Sequence, residues 1–229
     1  MFNFNYIFCG QHKWNKKIFY KKIRKFPGKW HFIDEKKKLN YKNIKSLNPK
    51  YIFFPHWSFK VKASIYKNFE CINFHETNLP YGRGGSPIQN LIIRGKKNTV
   101  VCALKMTKDF DSGPIYLKRK LSLNGSAEEI FERASKIYLE MIKKIMKQKI
   151  IPKKQSGKPV YFKRRTPKES EITGKIKKIN DLFNHIRMLD ADGYPKSYIL
   201  NKKFKFEFKN AKKTKKKIIA KVLITKLKR

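Results

Sequence analysis

Short apolar runs that do not alternate with polar residues, each followed by a helical pattern, most constrain what this chain can become. The run CINFH (71–75) is continuous in its apolarity up to a polar end, as a strand covered on both faces should be. NYIFCG (5–10), WHFI (30–33) and YIFFP (51–55) read the same way. Between the first two lies WNKKIFYKKIRKF (14–26), an amphipathic helix, and before YIFFP runs a Lys-rich connection of helical character. TVVCALKM (99–106) and PIYLKRKLSL (114–123) add two strands joined by TKDFDSG. The alternation predicts an α/β chain with an open, mostly parallel sheet flanked by helices. In such sheets ligands bind at the carboxyl ends of the strands.

Two helices carry their own punctuation. Ser86 suits an N-cap, Pro87 a first turn, and Gly95 a stop after Ile88, Leu91 and Ile92. Further on, Ser126 and Glu129 have capping-box spacing, and Ile130, Phe131, Ala134, Ile137, Tyr138, Met141, Ile142 and Ile145 form one apolar stripe. After about residue 150 the pattern changes. IIPKKQSGKP reads as a linker, KINDLFNHIRMLD as a helix, ADGYP as a turn, and YILNKKFKFEF with KKIIAKVLI as strands, NKK forming a hairpin turn. The expected domains are therefore 1–150 and a small α+β or β-rich appendage over 151–229.

The net charge of +41 invites a nucleic-acid or membrane partner, but its make-up points elsewhere. Nine arginines stand against 48 lysines, and the lysines occur along the whole chain, as on a solvated surface. Abundant Asn, Ile, Phe and Tyr fit a coding sequence poor in G and C. Attraction to small polyanions stays open. Cys9, Cys71 and Cys102 sit inside apolar runs without metal spacing, which suggests buried free thiols in a reducing compartment. MFNFNYIFCGQHKW turns polar too quickly for a signal peptide, and no apolar run approaches the roughly 20 residues of a membrane span. A cytoplasmic location is expected.

The stretch INFHETNLPYGRGGSPIQNLI (72–92) carries the chemistry. GRGGS matches neither G-x-G-x-x-G nor the P-loop spacing. HETNL begins like a zinc helix but lacks the second histidine. Ser86 lacks the G-x-S-x-G elbow. What remains is Asn73-x-His75 at a strand end, where residues two apart point to the same side. An amide and an imidazole there can hold a carbonyl that gains negative charge, while the histidine manages a proton. The pair equally suits a plainer duty, satisfying backbone groups where a strand ends.

With the rest of the chain considered, the arrangement resembles the formyltransferase family that uses 10-formyltetrahydrofolate, which includes methionyl-tRNA and amino-sugar formyltransferases. The resemblance rests on Asn73-Phe74-His75, Leu79-Pro80, Arg83-Gly84 and Ser86-Pro87-Ile88-Gln89. Thirty-six residues beyond His75 comes Asp111-Ser112-Gly113-Pro114, similar to the family's D-[ST]-G turn. It covers residues 1–150 and, more loosely, the segment to about 205. It implies a Rossmann-like catalytic domain with a truncated, OB-like C-terminal piece, and no metal.

The resemblance also implies roles. Asn73 would donate to the formyl oxygen, His75 would act as base or share the oxyanion, and Asp111 would support His75. Asp109 competes with Asp111, and an Asx-turn is the plainer reading of either. Pro55, His56, Leu79, Pro80, Arg83, Gly84, Gly85 and Gly113 would flank the folate. Trp57, Arg164 and Arg165 are candidates for the second substrate. The wording LPYGRGGSPIQNLI looks closer to the sugar-amine enzymes, and only about 60 residues follow the linker motif, where the tRNA enzymes carry a full barrel. The expectation is therefore an N-formyltransferase acting on a nucleotide-linked amino sugar for surface glycan or flagellin modification, with a nucleic-acid partner not expected and a homodimer through the tail conceivable. Methionyl-tRNA formylation is the alternative, and a non-catalytic nucleic-acid-binding protein the second.

Overall fold

The computed structural model describes residues 4–227 of the 229. The chain divides into two compact units, each assembled from several segments. The first runs through Gly84 and adds Thr99–Leu121 and Glu132–Tyr161. The second holds Gly85–Asn98, Ser122–Phe131 and the chain from Phe162 onward.

In the first unit, β1 (Asn5–Cys9), α1 (Lys13–Lys21), β2 (Lys29–Ile33), α2 (Tyr41–Leu47), β3 (Pro49–Pro55), α3 (Ala63–Tyr66) and β4 (Cys71–His75) follow in order. The chain then enters β5 (Tyr81–Gly84), passes α4 (Pro87–Ile93), and returns through β6 (Asn98–Lys105) and β7 (Ile115–Ser122). One six-stranded sheet has the order β2-β1-β3-β4-β6-β7. The pairs β1–β2, β1–β3 and β3–β4 are parallel, and β4–β6 is antiparallel, with His75 opposite Cys102. Ile7, Phe8 and Cys9, like Ile52, Phe53 and Phe54, are buried in succession, so both faces of these strands are covered. The continuous apolarity of the runs has this cause.

The helix α5 (Ala127–Lys147) starts where its capping box places it. The Ser126 N–H donates to Glu129 Oε2 at 2.7 Å, and the Glu129 N–H to Ser126 Oγ at 3.3 Å. Its apolar stripe is buried, apart from Ile137, which is half-buried. Two local expectations give way. The helix expected over 14–26 ends at Lys21 and passes into a short 3₁₀ turn at Ile23–Lys25. Ser86 precedes α4 but does not cap it. Its backbone is left-handed, φ +50°, and its hydroxyl accepts the Arg165 N–H at 3.1 Å instead.

The second unit contains α4, the first turn of α5, α6 (Ile179–Arg187) and a three-stranded antiparallel sheet. In that sheet β9 (Phe204–Lys213) lies between β8 (Ser197–Leu200) and β10 (Ile218–Lys226). The NKK turn is made by Asn201, whose side-chain oxygen accepts the N–H groups of Lys203 (2.9 Å) and Phe204 (2.7 Å). Asp190 ties the unit together. Its carbonyl accepts the Glu128 N–H at 3.0 Å and its carboxylate the Asn210 N–H at 2.6 Å.

All three cysteines are free and buried. Burial pushes the Cys102 thiol up to about 11. No helix among the described residues is long and apolar enough to cross a membrane.

Candidate active site

The strand β4 brings Asn73 and His75 to its carboxyl end, and the 107–114 turn after β6 brings Asp111 to meet them. Asn73 Nδ2 donates to Asp111 Oδ1 at 3.0 Å. The Gly84 N–H donates to Asp111 Oδ2 at 3.0 Å, and His75 Nδ1 stands 3.5 Å from that same oxygen. Asp111, not Asp109, is the carboxylate of the cluster. Its oxygens reach across to other segments, which is not an Asx-turn. Its backbone is left-handed, φ +53°, a conformation that costs a non-glycine residue on the order of 1 kcal/mol or more.

The hydrogen bonds assign the protons. His75 Nε2 lies 2.8 Å from the Gly82 carbonyl, which can only accept, so neutral His75 carries its hydrogen there. The lone pair is then on Nδ1, beside the Asp111 carboxylate. A proton arriving on Nδ1 turns a strained approach of two acceptors into an ion pair, so the geometry suits a base. Asn73 must present its NH₂ to Asp111, which leaves its second N–H for another acceptor.

A cleft partly open to solvent adjoins these groups. Asn73 and Asp111 line it together with Trp57, Phe59, Tyr66, Met106 and Phe110. The Trp57 indole N–H is buried and has no hydrogen-bond partner among the described residues. The four aromatic side chains among its lining residues, Trp57, Phe59, Tyr66 and Phe110, suit a planar conjugated ligand.

The remaining expected residues fall in several places. Trp57 lines the cleft, but Pro55 and His56 do not. His56 Nδ1 accepts the Trp14 indole N–H at 3.0 Å, and its Nε2 lies 2.8 Å from the Tyr138 hydroxyl and 3.3 Å from Glu76 Oε1. The His56 ring is thus held within the protein by Trp14, Tyr138 and Glu76. Leu79 is buried against Cys102 and Leu104, and the Leu79–Pro80 peptide is cis. Gly113 packs against the Lys105 carbonyl with no room for a Cβ. In the second unit Gly85 packs on Arg164 with no room for a Cβ, Arg164 is exposed, and Arg165 is bonded to Glu169 of its own turn.

Sequence reasoning missed two groups. Glu76 is fully buried one residue past His75, bonded by the Tyr138 hydroxyl. Burial alone would raise its carboxyl; the pull and hydrogen bond of His56, with His75 and Tyr138, outweigh that and hold it below the usual carboxylate range. Gln155, in the supposed linker, touches Arg83 and the Asp111 turn. The only sequence signal for Glu76 was a charge inside an otherwise buried run. For Gln155 there was none.

A strand-end amide and imidazole backed by a carboxylate, on an open α/β sheet, is the equipment of an acyl-group-transfer enzyme. Comparison with known proteins narrows the class. A structure described as a methionyl-tRNA formyltransferase from Clostridium thermocellum is 41% identical, covers 97% of this chain and 99% of its own, and superposes with a TM-score of 0.92. Residues 167–225 match the family model described as methionyl-tRNA formyltransferase, C-terminal domain. The methionyl-tRNA formyltransferase of Thermodesulfovibrio yellowstonii is 33% identical over 157 residues, which is 64% of this chain and 50% of that protein. The chain thus spans about half the length of the curated relatives it matches first. The chain belongs to the formyltransferase family.

These findings overturn the amino-sugar reading. A 4-N formyltransferase structure from Francisella tularensis shares only 16% identity, with a TM-score of 0.67 over 87% of this chain and 93% of its own, which is a likeness of fold alone. The nucleotide-linked amino sugar loses its support as partner, and the expectation against nucleic acid falls with it. The physical reason is that LPYGRGG packs on the Asp111 turn: Gly84 holds Asp111, and Arg83 holds Gln155. Its wording reports packing around the shared chemistry, not the choice of acceptor. Tail length misled in the same way, since the short C-terminal segment itself matches the tRNA-enzyme model.

Proposed function

We propose that the chain transfers the formyl group of 10-formyltetrahydrofolate to the amine of methionyl-tRNA. The observation that carries this reading is the 41% identity, over nearly the full length of both chains, to the Clostridium protein. The cleft supports the donor. Trp57, Phe59 and Phe110 offer aromatic surface to a pterin. The donor supplies the formyl carbon; the chain supplies orientation and proton handling. Asn73 gives its second N–H to the formyl oxygen as negative charge builds there. His75 Nδ1 takes the proton that the attacking amine loses, and Asp111, 3.5 Å away, stabilises the cation so formed.

The test is formylation of charged initiator tRNA by the purified chain with 10-formyltetrahydrofolate, read by mass spectrometry of the released amino acid. Binding should weaken steeply with salt, because phosphate contacts release counterions. A chain that binds the folate but leaves methionyl-tRNA unformylated would remove the acceptor from this proposal.

A further inference from the structure

The segment 150–159 reads as a linker, yet it is fastened to the catalytic turn. Lys153 and Ile115 exchange both backbone hydrogen bonds, at 2.7 and 2.9 Å, which lays the segment beside the start of β7. Two residues on, Gln155 Nε2 donates to the Asp111 carbonyl at 2.7 Å and to the Gly113 carbonyl at 2.9 Å. Its Oε1 accepts from Arg83 Nε at 3.2 Å and Nη2 at 2.8 Å. Both amide hydrogens face pure acceptors, and the oxygen faces a guanidinium that can only donate. No flipped orientation satisfies this set.

We propose that Gln155 is a positioning residue for the reaction, holding the left-handed Asp111 turn and β5 in the one arrangement that presents the Asp111 carboxylate to Asn73, Gly84 and His75. Arg83 fixes the amide, the amide fixes the carbonyls on either side of Ser112, and the Asp111 side chain inherits the placement. The adjacent Gly84 supplies the N–H that Asp111 Oδ2 accepts, so both walls of the carboxylate converge on one side chain. The proposal rests on the role given to Asp111 above. Without the clamp, Asp111 would keep its left-handed strain with one fewer contact to hold it there.

Two variants separate positioning from simple packing. Gln155→Met keeps the volume and removes every hydrogen bond. Gln155→Glu keeps an acceptor for Arg83 but sets carboxylate oxygens against the two carbonyls. In steady-state formylation both should lose about 10- to 100-fold in kcat, with both KM values within about threefold of wild type. Hydrogen exchange of the Gly84 amide and the Asn73 side-chain amide, read by NMR, should lose about tenfold in protection in both, since each donates to Asp111. Gln155→Glu with wild-type kcat and protection overturns the proposal, whatever Gln155→Met does. If the wild-type chain fails to formylate methionyl-tRNA, the acceptor reading is lost, and the exchange measurement alone decides for or against the clamp.

Discussion

Gly113→Ala turns the packing of the Asp111 turn into a measurement. A Cβ on Gly113 would lie 2.9 Å from the Lys105 carbonyl carbon and deeper still inside its oxygen, where Cβ contacts below 3.0 Å are essentially never found. The obstacle is backbone that cannot rotate away. Lys105 is paired across β4 with Ile72, and its N–H donates to the Pro114 carbonyl at 2.9 Å. Relief therefore requires the turn to move off the strand by on the order of 1 Å. Overpacking of this kind costs about 1–3 kcal/mol or more. Because Asp111 lies two residues away, a displacement near 1 Å should also cost about 100-fold in kcat. Gly174→Ala is the control. A Cβ there meets nothing within 4 Å, and the substitution should be neutral or stabilise by up to about 1 kcal/mol through the unfolded chain. Urea unfolding and formylation rates on both proteins give the comparison. Gly113→Ala with stability within about 0.5 kcal/mol of wild type and kcat within about threefold would refute the argument, because it would mean that the turn has room the structure denies.

Asn73→Ala removes the donor proposed for the formyl oxygen and one contact to Asp111, so kcat should fall by about 10²–10³, with the folate KM little changed. Near-wild-type turnover would reassign the oxyanion to another group. Glu76→Gln tests the buried network through pH. The Glu76 carboxyl is held below its usual range, so the stability it contributes is complete above about pH 4.5 and is lost as pH falls through the lower folded value. Urea melts of wild type and Glu76→Gln from pH 6 downward should therefore converge at the acid end, the variant losing less stability per pH step below 4.5. Parallel curves over the whole range would show that Glu76 titrates alike in the folded and unfolded chains.

What could be read in the sequence depended on how far apart the partners stand. Asn73 and His75 were legible because a strand's period of two is local, and the α5 capping box because its two members are three residues apart. Asp111 needed a resemblance to be chosen over Asp109; in space the choice is made by Gly84 and Asn73, which lie 27 and 38 residues back. His56 was named only through the resemblance, and the partners of its two ring nitrogens, Trp14 and Tyr138, stand 42 and 82 positions away, beyond any local pattern. Gln155 carried no signal because its segment has linker composition and its clamp is made across 72 residues to Arg83 and 44 to Asp111. The glycine-rich loop shows the same limit in reverse. Gly82 and Gly84 take positive φ within β5, so the stretch that looked like an open loop is a strand shaped to bring a carbonyl to His75 and an N–H to Asp111. Those two backbone groups hold the same His75 and Asp111 that the proposed formyl transfer would use with any amine, which is why the loop's wording could fit the family and still point to the wrong substrate.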